Sequence, residues 1–198
     1  MKKTVLTFGL ISGAIISALM MATIPFAHRI GMGSAMVIGY TTMVLAFLLV
    51  FFGIRSYREN VGDGQISFGR ALGVGLLIML ITCVFYVATW EVMYHVFMPN
   101  FVDEYMTHAV DRVRASGKSP QEIETEIANM RSMMQLYKSN IFVNVGMTLL
   151  EPLPVGLLMT LLSAAILRKR RRDERDLQDY QDGVKDNPVN LRNPVNPG

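Results

Sequence analysis

Ala71 to Trp90 reads ALGVGLLIMLITCVFYVATW, an uncharged run from residue 71 to residue 90. As a helix it would rise about 30 Å at 1.5 Å per residue, the thickness of a bilayer's hydrocarbon core. Its apolar residues are continuous and do not alternate, which excludes a barrel strand. Backbone crosses lipid only with its hydrogen bonds closed, so the run predicts a spanning helix. Working outward, the apolar pattern extends from Phe68 to Phe97. Upstream, Ala35 to Ile54 and Thr4 to Phe26 repeat it, and no charge lies between Ile30 and Ile54. Downstream, Ile141 to Leu167 supplies a fourth span, interrupted by one carboxylate.

The composition agrees. Hydrophobic residues make up 51% of the 198 and charged residues only 18%, against about 25% charged in soluble domains. That excludes disorder over the whole chain. The net charge of +3 is local, since the basic residues crowd into the tail from Arg168 onward, and it marks no nucleic-acid module. Cys83 is the single cysteine, so neither an intramolecular disulfide nor a multi-cysteine metal site is available.

Orientation follows from Lys and Arg. Lys2 and Lys3 precede span one, Arg55, Arg58 and Arg70 sit between spans two and three, and Arg168 to Arg172 follow span four. With four spans these clusters share one side, leaving Arg29 in a short turn on the other. The expectation is a multi-pass membrane protein with both termini cytoplasmic. Lys2-Lys3 before an apolar run also opens a signal peptide, but the run is long and lacks a small-x-small cleavage site, so an uncleaved first helix is expected.

Three regions lie outside the spans. In the loop from Arg55 to Arg70, Gly62-Asp63-Gly64 is a turn signal. Without a Walker lysine or a preceding strand it is not a phosphate cradle. Between Met98 and Asn140 a helical hairpin is expected outside the membrane. Asn100 can cap its first arm, in which Phe101, Tyr105, Ala109 and Val113 recur at four-residue spacing, and Gly117 ends that arm. Ser119-Pro120-Gln121-Glu122 is a capping box with proline at the first helical position. Ile123, Ile127, Met130 and Met134 then share one face, for packing between the arms or for a partner. Residues 1–172 read as the membrane domain. Residues 173–198, with the echo Asn187-Pro188-Val189-Asn190 and Asn193-Pro194-Val195-Asn196, read as a disordered cytoplasmic tail.

Glu151 is the sharpest anomaly, a carboxylate near the middle of a span. Asn144 and Thr148, seven and three residues before it, share its helical face. Pro152 and Pro154 lack N–H groups and free the carbonyls of Thr148 and Leu150. Freed carbonyls beside a carboxylate suit cation or proton handling. The plainer reading is an uncharged Glu151 that holds a bent helix through hydrogen bonds. Glu91 and His95 are four apart on span three at the interface, with no third metal ligand fixed by spacing. Gly9, Gly13 and Ser17, and Gly156, Thr160 and Ala164, are small-residue stripes for packing inside one bundle or for homodimerisation. Cys83 reads as a small buried apolar residue.

Gly53-Ile54-Arg55-Ser56-Tyr57-Arg58-Glu59-Asn60 with Gly64-Gln65-Ile66-Ser67-Phe68-Gly69 resembles the central signature of a bacterial integral-membrane family, the domain of unknown function 4199. Glu151-Pro152-Leu153-Pro154-Val155-Gly156 with the Arg168-Lys169 stop resembles its second block. The resemblance implies four membrane helices and a bacterial source, and it makes Arg55, Tyr57, Arg58, Glu151, Pro154 and Gly156 family-marking positions. It implies no activity.

The expected fold is therefore all-α, a four-helix transmembrane bundle with an extracytoplasmic helical hairpin between spans three and four. The expected function is a non-enzymatic membrane scaffold or assembly component. The alternative is a small ion- or proton-coupled transporter or channel using Glu151. No nucleophile, base and oxyanion set assembles from the spacing, and no catalytic residue, cofactor or metal is expected. The bilayer is the expected partner, with a homo-oligomer or a second membrane protein open.

Overall fold

The computed structural model describes residues 1–30, 32–169 and 181–182, with side chains for all of these except 24–30, 32, 33 and 35. Lys2–Ile30 forms α1, Met32–Asn60 α2, and Phe68–Val92 α3, which widens into a π turn at Met93–Phe97. Phe101–Arg114 is α4, Pro120–Ser139 α5, Ile141–Leu150 α6 and Pro152–Leu167 α7. Among the described residues, Lys2–Thr23, Met36–Asn60, Phe68–Phe97 and Ile141–Leu167 are long and apolar enough to cross a membrane. The chain is thus an all-α, multi-pass membrane protein, with α4 and α5 between spans three and four. Arg170 to Arg172 and the tail expected to be disordered lie outside the described residues, 181–182 apart.

Two boundaries differ from the sequence reading. The second helix continues six residues past Ile54 to Asn60, so Arg55, Tyr57 and Arg58 ride on a helix and not in a loop. Nothing there breaks a helix before Gly62. Likewise α1 carries Arg29, expected in a turn, because no glycine or proline follows Pro25 before residue 31.

The core lies among α1, α2, α3 and α7, where Ile16, Phe47, Val50, Ile54, Val74 and Ile78 are fully buried. The apolar faces turned outward, Leu10, Val84 and Ile166 among them, are exposed. In water that surface would be untenable, and in lipid it is the expected exterior. Between helices the association rests on close packing and polar contacts. A Cβ on Gly13 would lie 2.5 Å from Phe85 Cγ, and one on Gly156 2.6 Å from Met79 Cγ. The small residues therefore seat large neighbours of the same bundle. Ser12 Oγ donates to the Ala46 carbonyl at 2.8 Å, and Ser17 and Thr89 hydroxyls pair at 2.7 Å. These contacts make α1 an integral member of the bundle.

At the end bearing Met1 and Lys169, Asp63 and Gly64 take positive φ values of 49° and 80°, as a Gly-Asp-Gly turn permits. The turn aims Ile66 at the end of α7. Ile66 and Lys169 exchange two backbone hydrogen bonds, at 3.1 and 3.0 Å. Arg58 Nη1 adds a bond to the Leu167 carbonyl at 3.4 Å, and Tyr57 is buried beside it in the core.

At the opposite end the hairpin forms as its caps dictate. Ser119 and Glu122 close the capping box, and the Ser119 donors hold the Glu122 carboxyl below the usual carboxylate range. Gly117, at φ 73°, makes the turn. Asn100 does not cap with its side chain; its carbonyl accepts from Asp103 and Glu104, both at 3.0 Å. Asn140, unremarked in the sequence, caps α6 with its side chain, accepting from Phe142 and Val143.

Candidate functional site

The fourth span breaks at Glu151. Pro152 starts α7 without an N–H, and the Thr148 carbonyl takes the Glu151 N–H instead, at a long 3.4 Å. Pro152 is fully buried, which fixes the corner. Beyond it the two halves have different neighbours: α7 packs on both α2 and α3, whereas α6 packs chiefly on α3 and α5. The hairpin half of the span has left α2, and a cavity of about 970 Å³ fills the gap.

Glu151 and Thr148 line its floor, Met20, Thr23, Thr42 and Met43 line the side of α1 and α2, and Tyr86 and Trp90 line the side of α3. The roof is α4. One face of α4 buries Val102, Ala109 and Val113, and the other turns Glu104, Tyr105, His108, Asp111 and Arg112 to the cavity. The residues that recur at four-residue spacing are therefore divided between the two faces. Phe101 and Tyr105 face the cavity, Ala109 and Val113 do not, and Val102, which the stripe left out, is buried.

At the floor, Tyr86 Oη donates to Glu151 Oε2 at 2.6 Å. That is a short hydroxyl-to-carboxyl hydrogen bond. Tyr86 is buried while Glu151 is exposed to the cavity. Tyr86 lies eleven residues before Phe97, about 16 Å deeper at 1.5 Å per residue. The pair is thus well below the hairpin, and among the described residues no second group donates to Glu151. Asn144 and Thr148 bond each other, Thr148 Oγ1 to Asn144 Oδ1 at 3.5 Å, and both are buried. The hydrogen-bonded set expected of Asn144, Thr148 and Glu151 does not form, because the break turns the carboxylate toward α3.

An aromatic clamp holds the roof in place. Trp90 Nε1 donates to Tyr137 Oη at 2.8 Å, and Trp90 meets Phe101 edge-on with centroids 5.1 Å apart. Tyr94 meets Tyr137 at 5.6 Å. Outside the clamp, Lys138 Nζ reaches Asp103 at 2.7 Å.

The remaining candidates fall elsewhere. His95 Nε2 stands 3.2 Å from Glu91 Oε2, yet neither carboxylate oxygen accepts a well-aligned hydrogen bond. Among the described residues no third ligand joins them. His108 is on the cavity roof, far along α4 from that pair. Arg55 pairs with Glu59 at 2.9 Å on the surface. Pro154 is exposed, and Cys83 is buried in the core. Sequence reasoning missed Tyr86, Trp90 and Tyr137. Their only signal was a polar-tipped aromatic within or beside an apolar span.

The family model described as Protein of unknown function (DUF4199) matches residues 7–169. The chain belongs to this family. The DUF4199 match takes in most of span one, the other three spans, the hairpin and the Ile66–Lys169 bridge, and it stops within the basic cluster that opens at Arg168. It places Arg58, Tyr86, Glu151 and Gly156 within the shared region. Comparison with curated proteins and with solved structures gives no match.

Proposed function

We propose that this DUF4199 protein is a small proton- or cation-coupled transporter working through Glu151. The observation that carries the reading is that Glu151 opens onto the cavity, with the neutral hydroxyl of Tyr86 as its partner. A carboxylate at that depth is costly unless it faces water or a counter-charge, and it commonly serves an ion path. The inner half of the bundle is packed shut below it, which suits a site reached from the hairpin side. We place the protein in the bacterial cytoplasmic membrane with the hairpin outside. Lys2, Lys3, Arg70, Arg168 and Lys169 lie at the end away from the hairpin, the cytoplasmic end by the positive-inside rule. No covalent catalysis is assigned to it.

The test is proton and sodium flux into vesicles reconstituted with the wild type or with Glu151→Gln. Flux in the wild type that is lost in a folded Glu151→Gln protein is the expected result. Equal flux in both, or none in either across a panel of ions, would remove the reading.

One observation favours the scaffold or assembly role. A shallow groove of about 570 Å³ runs along the outer face of α5, between Lys118, Glu122 and Glu126 and the side chains of Met130 and Met133. The small-residue stripes support this role less, since Gly9, Gly13, Gly53, Gly75 and Gly156 face side chains of their own bundle. Crosslinking from Met133 in membranes, with capture of a second copy or another membrane protein, is the result that role requires.

A further inference from the structure

We infer that the cavity binds an amphipathic organic cation: an apolar or aromatic body of drug-like size carrying one positive charge. The inference rests on the reading of Glu151 as a working group and adds the class of its ligand.

Charge comes first. Among the described residues lining the cavity, Glu104, Asp111 and Glu151 are acidic, and Arg112 alone is a permanent cation. Arg112 belongs to the roof, whereas Glu151 lies at the floor, so among the described residues the floor carboxylate has no cationic partner. Tyr86 satisfies Oε2 only. Among the described residues no donor reaches Oε1, so it keeps acceptor capacity to spare, and a carboxylate in an apolar setting is stabilised most by a counter-charge. An anionic ligand would meet an excess of like charge.

Size and wall chemistry then narrow the cation. The volume of about 970 Å³ falls at the upper end of the roughly 300–1,000 Å³ typical of small-molecule pockets. A dehydrated metal ion would leave nearly all of it empty, and among the described residues no three metal-ligating groups converge. A hydrated ion would make no use of the walls. Met20, Met43 and Met147 supply flexible thioethers that adapt to irregular shapes. Trp90, Tyr105 and Tyr137 supply ring surface, and such rings attract cations through their π faces. An apolar body among these walls, with its charge at Glu151, uses both features.

The test uses the full-length protein in phosphatidylcholine nanodiscs, with tetraphenylphosphonium and its near-isosteric opposite, tetraphenylborate. Binding is measured with the radiolabelled phosphonium, subtracting empty discs. Trp90, the single tryptophan of the chain, reports the site by its fluorescence. Saturable phosphonium binding is expected, with a parallel change in Trp90 emission, at least tenfold weaker in Glu151→Gln. Tetraphenylborate should bind only as it does to empty discs. A second variant leaves the carboxylate intact: Gly39 lines the cavity, and an added Cβ there meets nothing within 4 Å. Gly39→Phe should therefore fold, fill space and block the probe. Equal phosphonium affinity in Glu151→Gln or Gly39→Phe, or tighter binding of the borate, would overturn the inference. Glu151-dependent proton flux without phosphonium binding would refute the ligand class and leave the transport reading standing. Glu151-dependent binding without flux would do the reverse.

Discussion

Glu151 and Tyr86 form a pair whose two halves can be altered separately. Glu151→Gln keeps volume and one acceptor oxygen, so folding should be unchanged in thermal unfolding in detergent. Tyr86→Phe removes the donor but leaves the carboxylate open to water in the cavity. Its cost should therefore stay near the low end of the usual penalty, about 1 kcal/mol. Gly156→Leu is a contrast from the same span. It drives a side chain into Met79 and Phe47, which stand within 3 Å of an added Cβ. Overpacking of that kind typically costs about 1–3 kcal/mol, and a lowered melting temperature should show it. Glu151 was legible in the sequence because one charge in an apolar run has no neutral explanation. Its partner was not. Tyr86 stands 65 positions away on another helix, and a tyrosine inside a span carries no local sign of which face it takes. Asn144 and Thr148 share the helical face of Glu151 in an unbroken helix. In the folded chain the carboxylate is taken by Tyr86, and Asn144 and Thr148 bond each other instead.

Among the elements, α5 is one whose start and cap the sequence placed to the residue. A serine with Glu three positions on and proline between them satisfies three backbone demands at once. Ser119→Ala should destabilise the hairpin by about 1 kcal/mol, read as faster amide exchange over the first turn of α5. The capping carboxylate also gives a pH dependence. Ser119 lowers the Glu122 value in the folded state, so its stabilising contribution is present above the ordinary carboxylate range. It is lost as pH falls through the lowered native value. Exchange at Glu122 to Thr125, corrected for intrinsic rates, should rise in acid, and that acid dependence should weaken in Ser119→Ala, which keeps only the backbone N–H donor to the carboxylate. The two faces of α4 were harder to foresee. A stripe at four-residue spacing drifts around a helix with 3.6 residues per turn. Phe101 and Val113 therefore cannot share one contact, and which half of the stripe is buried depends on where α5 lies. The length of α2 was misread for a simpler reason. Charges mark the edge of lipid, not the end of a helix, and Arg55 to Asn60 contain no breaker.

For the whole molecule, hydropathy and charge placed four spans and a hairpin without any tertiary information, since lipid imposes length and sidedness on each segment alone. Reporter fusions after Gly64 should report cytoplasm, and fusions after Gly117 should report the outside. An outside signal at Gly64 would invert the assigned orientation. The cavity could not be foreseen in this way. It is a relation among six helices, α1 to α6, set by one corner that sends α6 away from α2. That corner also has a mechanical meaning. The Ile66–Lys169 bridge fastens the far end of α7, so the rigid half of the fourth span is held at one tip and pivots at Glu151. The ten residues of α6 form an arm about 15 Å long at 1.5 Å per residue. A rotation of roughly 10° about the pivot carries Asn140, at its tip, about 2.6 Å. Asn140 joins directly to α5, so the arm and the cavity roof must travel together. The Trp90–Tyr137 hydrogen bond then acts as the catch on that motion.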